Sequence, residues 1–191
     1  MGQMNSRMGQ PTSESDEHDR AAIRACLLGD HSAFESLVIR YERALFNVAL
    51  RMLRNREDAR DATQNAFIKA YQNLASFDIT RRFFSWIYRI LSNECLNVIR
   101  RRRPQEAVPE LPVELPTFDA LDLEERRHAV SDAIAALSPD SREVIILRHY
   151  AERSYEEIAE ALGIQVSTVK SRLYTARQRL GERLFAWGPP S

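Results

Sequence analysis

The sequence predicts an all-α protein made of two small helical domains joined by a flexible linker. Three observations lead there. Six Gly and eight Pro in 191 residues are few for a turn-rich sheet protein, and β-branched runs are scarce. Apolar residues recur at three- and four-residue steps through most of Arg20 to Arg103, and again from Ala120 onward. Between these blocks, Pro104, Pro109, Pro112 and Pro116 punctuate an acidic stretch that cannot hold a helix. The predicted divisions are a disordered tail over 1–19, a first domain over 20–103, a linker over 104–125 and a second domain over 126–187.

Taken in order, "MGQMNSRMGQPTSESDEHD" has almost nothing to bury and reads as tail. "SAFESLVIRYERALFNVALRML" places Phe34, Leu37, Val38, Tyr41, Leu45, Val48, Ala49 and Met52 on one helical face, with Asp30 or Ser32 as candidate cap. A second helix, Arg56 to Ala75, buries Ala59, Ala62, Phe67, Ala70, Tyr71 and Leu74. "SFDIT" has turn character, and "RRFFSWIYRILSNECLNVIRRRR" forms a third helix that stops before Pro104. Past the linker, Ser138 and Pro139 open a fresh helix as cap and first helical residue.

Charge distribution says more than the net charge, which is zero. Met1 to Arg103 carries 17 basic residues against 12 acidic, and Arg126 to Ser191 carries 10 against eight. Pro104 to Glu125 has seven acids and no base, so two mildly basic blocks flank a negative connector. Cys26 and Cys95 are isolated and the four His are scattered, which argues against metal or redox chemistry. No apolar stretch approaches the ~20 residues of a membrane span, and the start lacks a signal peptide's apolar core. The expectation is a cytoplasmic protein without direct membrane insertion.

"SYEEIAEALGIQVSTVKSRLY" reads as a helix-turn-helix. Ser154 and Glu157 form a capping box. Ile158, Ala159 and Leu162 form the apolar stripe, Gly163 suits the left-handed turn, and Ile164 and Val166 plug the space between the helices. Ser167 is expected to cap the second helix, which buries Val169, Leu173, Ala176, Leu180 and Leu184. Its other face carries Thr168, Lys170, Ser171, Arg172, Tyr174, Thr175, Arg177 and Arg179. Cations and hydroxyls in such a row suit phosphates and major-groove base edges, although a solvated bundle face has the same composition.

Two further features lie in the first domain. Phe83, Phe84, Trp86 and Tyr88 are accompanied by Arg81, Arg82 and Arg89, and Arg100 to Arg103 follow. Rings interleaved with guanidinium groups suit single-stranded nucleic acid, while at helical spacing the same rings also suit a core. Glu57, Asp58, Asp61 and Gln64 fall at helical steps and make a mostly acidic stripe, either solvated or facing a partner's basic surface.

At these residues the chain resembles a known family. "DARDATQNAFIKAY", "FFSWIYRILSNECLNVIRRRR" and "LSPDSREVIILRHYAERSYEEIAEALGIQVSTVKSRLYTARQRL" are similar to the extracytoplasmic-function (ECF) sigma factors of bacteria. The resemblance runs from about Arg20 to Leu184. It implies a sigma-two and a sigma-four domain, binding to core RNA polymerase and promoter-specific initiation. Asp58, Asp61, Gln64 and Phe67 match the family's "D-A-x-D-x-x-Q-x-x-F" pattern, which implies contact with the beta-prime clamp helices; the beta subunit is expected as a further partner. Arg60 and Asn65 depart from that pattern.

The resemblance also implies that Phe77, Asp78, Arg82, Phe83, Trp86, Arg89 and Asn93 lie on or near the surface that meets the melted downstream promoter element. Arg100 and Arg101 would hold backbone phosphates. Upstream recognition is implied for Lys170, Ser171, Tyr174 and Thr175, with Ser167, Thr168, Arg172 and Arg177 on the same helix. Thr175 stands where a long basic residue is common. The acidic linker would thread toward the polymerase active-site channel or act as a plain tether. An anti-sigma factor is the expected regulator. No cofactor and no enzymatic activity are expected, since no nucleophile–base pair, metal spacing or Gly-rich phosphate loop is present. A stand-alone helix-turn-helix regulator is the alternative, and it leaves the first domain's stripe and rings unexplained.

Overall fold

The computed structural model describes residues 13–101 and 128–185, and the fold among them is all-helical. The first half holds α1 (Ser13–Leu27), α2 (Ala33–Leu53), α3 (Arg56–Gln72), a 3₁₀ turn (Leu74–Ser76) and α4 (Phe83–Arg101). The second half holds α5 (128–135), α6 (Pro139–His149), α7 (Tyr155–Leu162) and α8 (Val166–Leu184). The predicted linker over 104–125 lies outside the described residues, as do 1–12 of the predicted tail.

The helical face read for α2 is buried, with Phe34, Leu37, Tyr41, Leu45, Val48, Ala49 and Leu53 in the core. The helix ends at Arg54 in a left-handed conformation (φ 53°), whose N–H returns to the Leu50 carbonyl. Asn55 then opens α3, its side-chain oxygen accepting the Asp58 N–H at 3.0 Å. Ala59, Ala62, Ala66 and Ala70 are all buried. At three- and four-residue spacing they form one column of small side chains, which lets α3 pack closely against α2 and α4.

The N-terminal boundary differs from expectation. Residues 13–19, read as tail, belong to α1. Few apolar residues hold it down, mainly Ile23 and Cys26, so polar contacts supply the rest. Arg40 donates to the Ser15 carbonyl at 3.0 Å and pairs with Asp19 at 3.2 Å, and the Tyr41 hydroxyl donates to the same Asp19 carboxylate. Burial pushes the Asp19 carboxyl up, opposed by the Tyr41 hydrogen bond and the Arg40 charge.

In the second half, α7 begins with the complete capping box: Ser154 accepts the Glu157 N–H at 3.2 Å and Glu157 accepts the Ser154 N–H at 2.8 Å. Gly163 ends the helix at φ +67°. Replacing Ser154 by Ala removes one side of that pair and is expected to lower stability by about 1 kcal/mol in a urea titration. Ser138 does precede Pro139 at the helix start, but its side chain makes no capping bond.

The largest departure concerns how the halves relate. They were expected to hold separate stretches of DNA as tethered modules, with the arginine-and-ring surface outward. Instead α6 and α7 pack on α2 and α4, and the buried residues of both halves form one connected cluster. The Arg153 guanidinium sits 4.5 Å from the centre of the Phe84 ring, and Arg51 lies 4.2 Å from that of Tyr150. Tyr88 donates to Glu143, and Arg54 pairs with Asp132 at 2.9 Å. The seam is not closely filled: a pocket of about 170 Å³ opens between Val48, Met52, Tyr88, Pro139 and Ile146. Such a mixed polar and loosely packed contact resembles an interface between movable domains more than a continuous core.

Candidate nucleic-acid interface

Helix α8 shows the two faces the sequence implied. Val169, Leu173 and Ala176 are buried against α6 and α7, while Leu180 and Leu184 are only half-buried toward the end. On the opposite face Lys170, Ser171, Thr175 and Arg177 are exposed, and Tyr174 is 67% exposed. Thr168 is half-buried. Arg172 is less available than expected, since its guanidinium pairs with Asp140 at 2.6 Å. Ser167 is not the cap: Gln165 occupies that position and makes no side-chain cap bond, while Ser167 lies in the first turn. The turn of Gly163 and Ile164 is short, so the chain re-enters helix two residues earlier than the Ser signal suggested. Burial and the Arg177 and Arg148 charges hold His149, beside this face, below the usual imidazole range.

The second group surrounds the start of α4, and here the rings divide. Phe83, expected near the DNA surface, is only 2% exposed. It meets Phe34 at 6.3 Å, and Tyr41, Phe77 and Trp86 each at 5.8 Å. Phe77 is 9% exposed and packs on Trp86 at 5.0 Å, which leaves Trp86, half-buried, as the outermost ring of the stack. The reason is position: Phe83 falls on the inward side of the first turn of α4, and removing an aromatic ring from water stabilises by roughly 2–3 kcal/mol. Phe84 and Tyr88 are core as well. Asp78 is exposed and closes a turn, accepting the Thr80 hydroxyl at 2.7 Å and its N–H at 3.0 Å, which holds the carboxyl below its ordinary value. Asn93, Arg100 and Arg101 are exposed along α4.

Arg82 and Arg89 are the cations of this group at the start of α4, and both are engaged by the other half of the chain. The Glu160 carboxylate accepts the Arg82 backbone N–H at 3.1 Å and its guanidinium at 3.3 Å. Asp16 of α1 pairs with the same guanidinium at 3.4 Å. Arg89 donates to the Glu160 and Ala161 carbonyls at 3.0 and 3.3 Å, in the last turn of α7. Asp16 and Glu160 escaped the sequence reading because Arg82 lies 66 and 78 residues away from them, beyond any periodicity.

The third group lies on α3. Asp61 and Gln64 are exposed and Asp58 is half-buried. Phe67, which helical spacing put in the core and the resemblance put on that surface, is 7% exposed and packs edge-on to Phe34 at 6.4 Å. It points to the core because it continues the inward side of α3 next to Ala66 and Ala70. Ile68, 46% exposed, is the apolar neighbour that does reach the surface. Among the described residues no cluster of His, Cys, Asp and Glu could hold a metal ion, and no helix is long and apolar enough to cross a membrane.

Comparison with known proteins accounts for both halves. The Sigma-70 region 2 model matches residues 37–105 and the Sigma-70 region 4 model matches 127–180. The ECF RNA polymerase sigma factor SigW of Bacillus subtilis is 34% identical over 176 residues, covering 85% of this chain and 94% of its own. The ECF RNA polymerase sigma-E factor of Escherichia coli is 33% identical, covering 87% and 94%. Among solved structures, CnrH in complex with the cytosolic domain of CnrY aligns with TM-score 0.71 at 31% identity, over 88% of this chain and 98% of that one. The sigma factor RpoE of Bartonella quintana, in complex with the anti-sigma factor NepR, aligns with TM-score 0.62 at 29% identity, over 80% and 96%. With both regions matched in order and curated relatives spanned almost end to end, this chain belongs to the ECF sigma factors, a family of non-enzymatic transcription initiation factors.

Proposed function

We propose that this sigma factor docks on core RNA polymerase through the exposed flank of α3 and reads a promoter with two separate surfaces. Asp58, Asp61 and Gln64 offer carboxylates and an amide to a basic partner surface, the beta-prime clamp helices, with the beta subunit as a further contact. Downstream, Trp86 is the ring placed to stack on an unpaired base, with Arg82, Arg89, Asn93, Arg100 and Arg101 toward the strand. Upstream, Lys170, Ser171, Tyr174 and Thr175 face the major groove, supported by Thr168 and Arg177. The protein works in the cytoplasm, and an anti-sigma factor of the kind seen with the Bartonella relative controls it.

The observation that carries this reading is the open polar row of α8 on a helix whose opposite side is locked into the capped α7 and α6. Run-off transcription with core polymerase over a genomic library tests it. Promoter-specific transcripts are expected, and their absence would refute the proposal. Lys170→Ala and Tyr174→Ala are each expected to weaken upstream recognition by roughly 1–3 kcal/mol in a competition gel shift with the holoenzyme. Affinity should also fall steeply with salt, as phosphate contacts release counterions.

A further inference from the structure

The contact between Glu160 and the start of α4 has the chemistry of a phosphate site with the phosphate replaced. A carboxylate approaches the first turn of a 19-residue helix, where free N–H groups and the positive end of the helix dipole favour an anion. It takes one bond from the Arg82 backbone N–H at 3.1 Å and one from the Arg82 guanidinium at 3.3 Å. A strand phosphate would offer its oxygens to the same two donors. The partner helix returns the arrangement, because the Arg89 guanidinium lies against the carbonyls that end α7, at 3.0 and 3.3 Å. Each helix thus closes a terminus of the other with a charge of the right sign.

From this clasp we propose that Glu160 is a built-in stand-in for a promoter phosphate. While α7 rests on α4, Glu160 and the α7 carbonyls hold Arg82 and Arg89, so the downstream single strand must displace them to bind. The inference rests on the proposed role of α4 as the downstream strand reader. Closure is one-sided. The α8 row, with Tyr174 67% exposed, stays open in the same arrangement, so duplex binding is not subject to it. The seam suits a reversible contact, since it is rich in charged and polar pairs and leaves the pocket beside Tyr88 unfilled. Covalent attachment of the halves keeps the competing carboxylate at high effective concentration.

The test uses the full chain and two fluorescent probes, a mixed-sequence single-stranded DNA pool and a mixed-sequence duplex pool. Glu160→Gln removes the charge at nearly constant volume, at a half-buried site where the fold is not at risk. Binding of the single-stranded pool is expected to tighten by roughly tenfold, as expected if the open form is about a tenth of the population, with duplex binding unchanged. Spin labels at Glu42→Cys on α2 and Gln178→Cys on α8, both exposed, should report a broader distance distribution in the Glu160→Gln background. Equal single-strand affinity for wild type and Glu160→Gln, with that affinity still lost in Arg82→Ala, overturns the closure while leaving α4 as the strand reader. Single-strand affinity that Arg82→Ala and Arg89→Ala do not alter overturns both. A parallel gain on the duplex pool would assign the effect to net charge and overturn the proposal too.

Discussion

Replacement of Asp61 by Arg is expected to abolish co-purification with core RNA polymerase while leaving the helical fold unchanged. Asp61 is exposed on α3, so reversing its charge removes nothing from the core and leaves the Ala column untouched. At an interface, a like charge facing a basic surface costs several kcal/mol, which corresponds to a loss on the order of 100-fold or more. Circular dichroism and the urea midpoint should match the wild type. Retained capture of core by the Arg variant would show that α3 is not the docking face. The same substitution leaves Glu160 and α8 alone, so the two DNA surfaces should keep their affinities in isolation.

Truncation of Phe83 to Ala is expected to produce the largest loss of stability in the first half, about 3–5 kcal/mol. The ring is buried against Phe34, Tyr41, Phe77 and Trp86, and its removal leaves a cavity bordered by four aromatic side chains that cannot collapse freely. Against a typical total of 5–15 kcal/mol, that loss should show as a large drop in the urea midpoint. Phe83→Leu keeps apolar volume and is expected to lose much less. Downstream promoter recognition should survive in the Leu variant and fail in Trp86→Ala. A stable Leu variant that no longer recognised the downstream element would return Phe83 to the DNA surface.

The parts of the fold that were legible in the sequence are those fixed within a turn or two of chain. The α2 stripe, the Ser154–Glu157 box and the Gly163 turn each rest on residues at most a few positions apart, and each is present. The start of α1 was not legible, because its stabilising partners, Arg40, Tyr41 and Arg82, come from other helices. The split among the rings was ambiguous for a related reason. Phe83 and Trp86 have the composition of a stacking surface, and only the placement of Phe34, Tyr41 and Phe77 decides which of them faces inward. The α8 row was readable because its alternation survives without any tertiary information. The clasp by Glu160 was not, since nothing marks one of the three glutamates on α7 as having a partner in α4.

The column of Ala59, Ala62, Ala66 and Ala70 has a consequence for how such a protein can change. The long side chains that tie α3 to its neighbours include Phe67 and Tyr71 against Phe34 and Lys69 paired with Glu94, and none of these is among the exposed positions Arg60, Asp61, Gln64 and Asn65. Substitutions at Arg60, Asp61, Gln64 or Asn65 are expected to have little effect on folding, so the proposed docking face can be altered while the scaffold stays constant.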